Sequence, residues 1–531
     1  MATEASHSRF SWDNAAIVLS LCLGSVCYGY NFSIATFTFG QPTFYAYMNL
    51  TSDATQKSLY AHSNNMIDTV LGLFSAGAFL GALFVAWFCD AYGRKKSIIL
   101  AAVINIVGGA IQAGSVNIGM FIAGRFITGF AAAMFVTLVP IYITEVAPPA
   151  VRGFLVGQHG ASFLFGYTLA SWISVGSFFK GDSTFQWRFP VAMQVFWPAL
   201  LLAFVRGIPE SPRWLISHGE TDRAWDVISR LHYSSTDPAQ FFAREEFFQM
   251  TSQISADKET YGGMSLLDMF RKPSFAKRMM ASALVMATSQ LTGNLVIYSN
   301  IAILYKGLGL SSSVSLIVSA AYITWAFVCN FINSTFLDRL GRVRSMLIGF
   351  SGGAAVIAIE TALVASYAGT NNKPGLSATV AMLFAYITTY GGFCDTTIYV
   401  YCAEIFPTHL RAKGMGWSVA VFMLATIPYL ESFTLGYSVI GWRYYLIFIG
   451  MAVLAVPAIY LICPETKGLS LEEINGLFGD EVVVKLTGIS EEERVKLEKA
   501  VEGDRLAKQD EATNFGKDGS MKSSSHGIVS V

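Results

Sequence analysis

Twelve runs of predominantly apolar sequence, each close to the roughly 20 residues that a helix needs to cross a bilayer core, alternate with short polar loops along the chain. They lie near residues 14–37, 66–88, 97–116, 119–142, 153–176, 189–206, 277–303, 312–335, 345–367, 376–402, 414–436 and 443–463. The first follows a short polar N-terminus, 1–13, and is too long for a signal-peptide core. It also lacks a small-residue cleavage site, so it reads as the first span. One long polar insertion breaks the pattern from about Pro209 to Lys277, with helical stretches at Thr221–Leu231 and Ala243–Ser255. A second polar segment follows the last span. Its end, Asp504 to His526, is rich in Lys, Asp, Ser and Gly and is expected to be disordered. The pattern predicts an all-α polytopic membrane protein: a six-helix half over 14–206, a linker over 207–276, a second six-helix half over 277–463 and a tail over 464–531.

Orientation follows from the basic residues of the short loops. Arg94, Lys95 and Lys96 follow span 2, Arg339, Arg342 and Arg344 follow span 8, and Arg411 and Lys413 follow span 10. These loops should be cytoplasmic, and with them both termini and the central insertion. The loop 38–65 then faces outside and carries Asn49-Leu50-Thr51, an acceptor for N-glycosylation at Asn49. Asn31-Phe32-Ser33 also fits that pattern but lies inside span 1.

The chain repeats itself. Asp90-Ala-Tyr-Gly-Arg94 returns as Asp338-Arg-Leu-Gly-Arg342. Glu145-Val-Ala-Pro148 with Arg152-Gly153 returns as Glu404-Ile-Phe-Pro407 with Arg411. Trp187-Arg188 returns as Trp442-Arg443, and Pro209-Glu210 as Pro464-Glu465. The pairs are roughly 250 residues apart and fall at matching ends of matching spans, which indicates two homologous halves of the kind that enclose a midplane transport site.

Composition agrees. Hydrophobic residues make up 53% and charged residues only 14%, against about a quarter charged in soluble domains. Mean hydropathy is +0.48. The 47 glycines suit close helix packing. With 36 basic and 36 acidic residues there is no excess of positive charge to bind nucleic acid. The seven cysteines lie in or beside apolar segments without metal-site spacing and read as small buried hydrophobes. No Walker A loop, nucleophile elbow or His-Glu-x-x-His is present, and the scattered histidines, His159 among them, read as ordinary polar residues. Neither an enzyme nor a cofactor is expected.

The ordered set of Asp-x-x-Gly-Arg loops, Gly124-Arg125-Phe126, Pro140-Ile-Tyr142-Ile-Thr-Glu145, Pro209-Glu210-Ser211-Pro212-Arg213-Trp214-Leu215, Gln290-Leu-Thr-Gly293 and Pro464-Glu465-Thr466-Lys467-Gly468 resembles the signatures of the sugar porters, especially fungal ones, in the major facilitator superfamily. The resemblance runs from residue 90 to 468. It implies the twelve-helix fold of that superfamily and alternating-access transport of a sugar or sugar-like small solute by a monomer in a lipid bilayer, the plasma membrane by default.

Ten charged residues at the inner rim fit a cytoplasmic gate: Asp90, Arg94, Glu145, Arg152 and Glu210 in the first half, and Asp338, Arg342, Glu404, Arg411 and Glu465 in the second. Opposite charges there can pair between the halves when the inside is closed. Substrate contacts are expected from Tyr28 and Asn31 in span 1, Gln290, Asn294, Tyr298 and Asn300 in span 7, and Tyr399 in span 10. Buried polar groups at mid-membrane depth are costly unless they serve a ligand or a partner. By the resemblance, Gln290 contacts substrate hydroxyls and Tyr399 stands where a sugar-stacking Trp is usual.

The departures from the family pattern point another way. Ser289 stands at the first of two expected glutamines, Leu295 at an expected Asn, Gly160 at an expected Gln with Gln158 nearby, and Phe422 at an expected polar position. With Phe163, Phe165, Tyr167 and Phe393 nearby, the cavity should be less polar and more aromatic. A less hydroxylated solute, such as an aromatic or cyclic organic acid or a secondary metabolite, is therefore a rival to a hexose.

Proton-coupled members carry an Asp in span 1 that pairs with the Arg of span 4. Arg125 is kept here, but Asn31 takes the Asp position and cannot titrate. The chain is then either a uniporter or carries its proton elsewhere, with Asp395 in span 10 the leading carboxylate and Glu360 and Glu431 behind it. A transporter-like nutrient sensor is a further alternative. The 64 residues after Lys467 are short for a signalling tail and favour transport.

Overall fold

The computed structural model describes residues 12–51, 56–147, 152–181, 183–231, 240–261, 264–301, 304–305, 311–367, 370, 372–471 and 473–480. The expected disordered end of the tail lies outside these residues.

Helices occupy every predicted apolar run. Spans 1 to 5 are Trp12–Thr38, Lys57–Tyr92, Arg94–Ala113, Ile118–Val146 and Arg152–Phe178. Span 6 is two helices in line, Phe185–Ala192 and Phe196–Phe204. Span 7 is Pro273–Leu291 continued by Asn294–Ser299. Spans 8 and 9 are Ser312–Leu340 and Arg342–Tyr367. Span 10 is Lys373–Phe393 continued by Asp395–Glu404, and spans 11 and 12 are Arg411–Ile440 and Tyr445–Ile462. Eleven of these helical runs are long and apolar enough to cross a membrane. Span 5, 27 residues long, is the less apolar exception. Its Gln158, His159, Ser162 and Ser171 lower its hydropathy, and most of its residues are buried against other helices.

Within the first six spans, span 2 packs on span 4, span 1 on span 5, and span 3 on span 4. Within the last six, span 9 packs on spans 10 and 12, and span 7 on spans 11 and 12. Spans 5 and 8, and spans 2 and 11, form the broad contacts between the two sets. Large apolar side chains such as Leu461, Tyr460, Leu454 and Leu19 stay exposed on the outside of the bundle, where a bilayer would cover them.

The linker holds short helices. Thr221–Leu231 forms as expected, and the second helix is longer than expected, Phe241–Tyr261. Leu215, Ile216, Ala224, Ile228, Phe247 and Met250 close a small apolar core between them. Ser265 and Asp268 make a capping box at the next turn. The Ser265 hydroxyl and amide hold the Asp268 carboxyl below its usual range. The amide of Asn14 at the foot of span 1 donates to the last carbonyl of the first linker helix, at Leu231 (2.9 Å). Beyond span 12, the described tail returns to span 7, where Asp480 pairs with buried Arg278 at 2.8 Å.

Two spans break at mid-depth. Span 7 breaks at Gly293, whose φ of +89° is left-handed; a Cβ there would also strike the Phe448 ring at 2.6 Å. Span 10 breaks at Cys394, so that Asp395 opens a new ten-residue helix. A carboxylate at a helix N-terminus is favoured by the helix dipole. That is a local reason why an Asp is tolerated within this span.

Candidate functional site: a charged face and an aromatic cavity

The Asp-x-x-Gly-Arg segments build the charged face. In the first repeat, Arg94 grips Glu145 with two bonds of 3.0 Å and reaches Asp90 at 3.6 Å. Glu210 caps the start of span 3, accepting from the amides of Arg94 (2.8 Å) and Lys95 (3.2 Å). The second repeat matches it. Arg342 grips Glu404 at 3.1 and 2.8 Å and meets Asp338 at 3.0 Å. Glu465 accepts from the amides of Arg342 (2.8 Å) and Val343 (3.1 Å). Ser211 and Thr466 donate to Glu145 and Glu404 at 2.6 and 2.9 Å in equivalent places.

The glycines of the motif are needed for this arrangement. Gly93 and Gly341 have φ of +95° and +98°, and a Cβ on either would lie 2.5 or 2.6 Å from the capping carboxylate.

Contacts between the first and last six spans cross at this face. Arg411 Nη1 of span 11 meets Glu145 Oε1 of span 4 at 3.5 Å, both side chains fully buried. Asp338 Oδ2 accepts from the Phe154 amide in the first turn of span 5 at 2.9 Å. Arg152, beside it, is buried.

The cavity lies between the same two sets of spans. About 460 Å³ of space free of atoms, open solvent included, lies there, lined by Tyr28, Phe163 and Tyr167 from spans 1 and 5. Gln290, Asn294, Leu295 and Tyr298 line it from span 7, Tyr322 from span 8, Tyr390, Asp395 and Tyr399 from span 10, and Phe422 from span 11. Tyr167 stacks on Tyr298 with centroids 5.1 Å apart, and Phe163 meets Tyr399 edge-on at 5.7 Å. The Tyr298 hydroxyl donates to Ser33 of span 1 at 2.6 Å, closing span 7 over span 1.

The predicted contacts sort accordingly. Tyr28, Gln290, Asn294, Tyr298, Asp395 and Tyr399 come together at the cavity. Asn31 does not line it: its amide donates to Asn105 of span 3 at 2.7 Å. Asn300 caps the end of span 7 by donating to the Val296 carbonyl at 3.0 Å. Arg125 lies over the Phe74 ring at 4.0 Å and donates to the Asn31 carbonyl at 2.6 Å, so it stays bound to span 1 without a titrating partner there. Gln290 is already engaged, donating to Ser289 at 3.0 Å and accepting from Thr426 at 3.2 Å. Of the expected aromatic neighbours, Phe163, Tyr167 and Phe422 line the cavity. Phe165 instead turns outward, 41% exposed, and Phe393 packs on Phe336.

The departures have physical reasons. A Cβ at Gly160 would fall onto Thr396 of span 10, so span 5 approaches span 10 only if that position has no side chain. Leu295 and Phe422 both face the cavity and make it apolar.

Asp395 is buried, and Oδ2 accepts from Asn330 of span 8 at 3.3 Å. Asn330 in turn accepts from Thr396 at 2.7 Å. Among the described residues no Lys or Arg forms an ion pair with Asp395. Glu360 is buried in span 9, away from the cavity lining, and Glu431 lies exposed against Gly72.

The sequence reading does not single out Asn330, Tyr322 or Tyr390. An asparagine amid the apolar residues of span 8 is itself a signal of an interior partner. His159 is buried too, with Nδ1 2.8 Å from Ser25 Oγ and its ring against Tyr399 at 5.1 Å, so it braces the cavity wall.

Comparison with known proteins agrees with this geometry. The family model "Sugar (and other) transporter" matches residues 17–478. The chain is 30% identical over 467 residues to the MFS-type transporter criB of Aspergillus cristatus, covering 88% of this chain and 93% of that one. It is 30% identical over 423 residues to the sugar transporter STL1 of Saccharomyces cerevisiae, covering 78% and 73%. Its fold is similar to that of the proton:xylose symporter XylE of E. coli bound to 6-bromo-6-deoxy-D-glucose, with a TM-score of 0.78 at 22% identity, covering 88% of this chain and 100% of XylE. This chain is a multi-pass membrane transporter of the major facilitator superfamily and belongs to its sugar (and other) transporter family.

Proposed function

We propose that the chain moves a sugar or sugar-like small solute across the plasma membrane by alternating access, as a monomer and without chemically converting it. The observation that carries this reading is the cavity, lined from both sets of six spans, together with the Glu145–Arg411 ion pair that joins the same two sets at the charged face. In this account residues 14–206 and 277–463 rock about the cavity, and the linker 207–276 and both termini are cytoplasmic. The ten charged residues at that face form the gate. At the opposite end Asn49 is exposed in the turn after Pro42–Tyr47, where an N-linked glycan has room.

Tyr28, Gln290, Asn294, Tyr298 and Tyr399 are the proposed solute contacts, with Asn31 and Asn300 supporting the helices that carry them. Coupling is assigned to a proton at Asp395. Arg125 faces Asn31, which cannot titrate, whereas Asp395 lines the cavity itself and is the carboxylate that solute and proton can reach together. XylE is a proton symporter by its description, and this chain would keep that coupling at a different residue.

A second reading has a specific basis. Leu295 and Phe422 face the cavity and Gln290 is held by its neighbours, so a ring with few hydroxyls fits better than a hexose.

Uptake of labelled hexoses, pentoses, polyols and small cyclic metabolites in cells lacking their own sugar carriers, with and without a protonophore, tests both. Accumulation of a sugar that collapses with the protonophore is expected. Equilibration that ignores the protonophore would overturn coupling at Asp395. Flux of a poorly hydroxylated metabolite with none of any sugar would replace the first reading with the second.

A further inference from the structure

A buried carboxylate is costly unless something positive compensates it. Beyond the helix start that it occupies, Asp395 has one long hydrogen bond among the described residues, from Asn330 at 3.3 Å, and none of the residues lining the cavity is a Lys or Arg. The rest of the wall is unusually rich in rings. Tyr28, Phe163, Tyr167, Tyr298, Tyr399 and Phe422 come from spans 1, 5, 7, 10 and 11. They touch one another edge-on, stacked or tilted at 5.1 to 6.2 Å, so together they enclose one space.

A lone carboxylate inside an aromatic enclosure is the chemistry that holds an organic cation. The carboxylate supplies charge-assisted contact, and the ring faces stabilise positive charge that is poorly hydrated. An anion would meet the opposite: negative charge on Asp395 and no cation to bind it.

We propose that this cavity takes a solute bearing a positively charged nitrogen, a protonated or quaternary amine on a small ring or sugar-like body, and that this nitrogen and a proton compete for Asp395. The inference rests on the cavity being the transport site. It narrows the substrate class and changes the sense of coupling: a solute cation entering displaces a proton.

The groups that face Asp395 leave the carboxylate as the titrating member of the site. From span 1 it is Tyr28, from span 5 Tyr167, from span 8 Tyr322 beside Asn330, and from its own span Tyr386, Tyr390, Cys394 and Tyr399. Phenols and a thiol are uncharged at neutral pH, so none of them compensates or repels the solute cation. His159 reaches the site through the Phe163 and Tyr399 rings. Among the described residues the Tyr322 hydroxyl meets no hydrogen-bond partner, so it is available to accept from a solute N–H.

The test is binding of radiolabelled tetraethylammonium to the purified full-length protein in lipid nanodiscs, with glucosamine, glucose and benzoate as competitors, at several pH values. Saturable tetraethylammonium binding is expected, weakened as the pH falls, displaced by glucosamine and not by benzoate. Asp395→Asn should weaken it about thirtyfold or more. Tyr399→Leu, which leaves the carboxylate in place, should weaken it about fivefold, and this second variant decides the matter if Asp395→Asn does not fold.

Absence of tetraethylammonium and glucosamine binding in the wild-type protein overturns the inference, as does binding that is indifferent to both substitutions. The proton reading fails separately. Sugar uptake that loses its protonophore sensitivity in Asp395→Asn, together with no amine binding, retains the proton site and removes the amine site.

Discussion

Arg411 Nη1 lies 3.5 Å from Glu145 Oε1, an ion pair between span 11 and span 4 in which both side chains are fully buried. Glu145 is also held by Arg94 and Ser211, so one carboxylate ties the first repeat together and fastens it to the second. Removing one member of a buried pair costs about 3–5 kcal/mol. Glu145→Gln should therefore loosen both the first repeat and the closed charged face. Initial solute uptake, normalised to protein at the cell surface, should fall by about tenfold or more, since roughly 1.4 kcal/mol suffices for a factor of ten. Uptake equal to wild type at equal surface level would count against the gate.

Gly93 and Gly341 predict matched effects in the two repeats. Alanine at either meets a left-handed backbone and a carboxylate oxygen 2.5 or 2.6 Å from its Cβ. Each substitution should cost about 1–3 kcal/mol and lower the thermal unfolding midpoint of the purified protein. Gly450→Ala is the control: a Cβ there has nothing within 4 Å, and its midpoint should stay near wild type.

Gly160→Gln would restore the hydrogen-bonding side chain that the family resemblance leads one to expect. The structure predicts loss, not gain, because the new Cβ falls onto Thr396. Overpacking of this kind costs about 1–3 kcal/mol. Sugar uptake should drop along with stability; tighter sugar binding at unchanged stability would show that spans 5 and 10 do not need this contact.

Asp395→Asn should flatten the pH profile of uptake. Protonation neutralises an aspartate, and asparagine is neutral at every pH, so the variant cannot alternate between charged and uncharged forms. The initial rate of labelled solute uptake, measured at several external pH values, should change with pH in the wild type and stay level in the variant. An unchanged profile would move coupling to another carboxylate, with buried Glu360 next in line.

Much of this was legible in the residues. The spans could be placed because a bilayer imposes one length and one polarity on every helix. The repeat could be placed because Asp-x-x-Gly-Arg and the later Pro-Glu encode one local device in each half: a helix end, a left-handed glycine and the carboxylate that caps the next helix. The cavity was legible only in part. Tyr28, Gln290 and Tyr399 are conspicuous polar or aromatic residues within apolar spans. Asn31 and Asn300 are equally conspicuous, yet they turn to Asn105 and to the Val296 carbonyl. Which way a polar side chain turns depends on the neighbouring helix, and sequence spacing does not carry that. The same holds for Asn330, whose meaning appears only when span 8 is set against Asp395. Linker helix Phe241–Tyr261 runs further than the apolar pattern suggested because its second half, through Asp257 and Lys258, is polar on most sides.

Counterflow in proteoliposomes reads out alternating access through this cavity without relying on any cellular gradient. Vesicles containing the purified protein are loaded with unlabelled solute, diluted into a trace of labelled solute, and sampled over time. Label should accumulate transiently above its equilibrium level, should not do so in vesicles loaded with buffer alone, and should do so at about a tenth of the rate or less in Glu145→Gln. Label entering at the same rate and to the same level whether or not the vesicles are loaded would contradict a carrier that exposes one site to each side in turn.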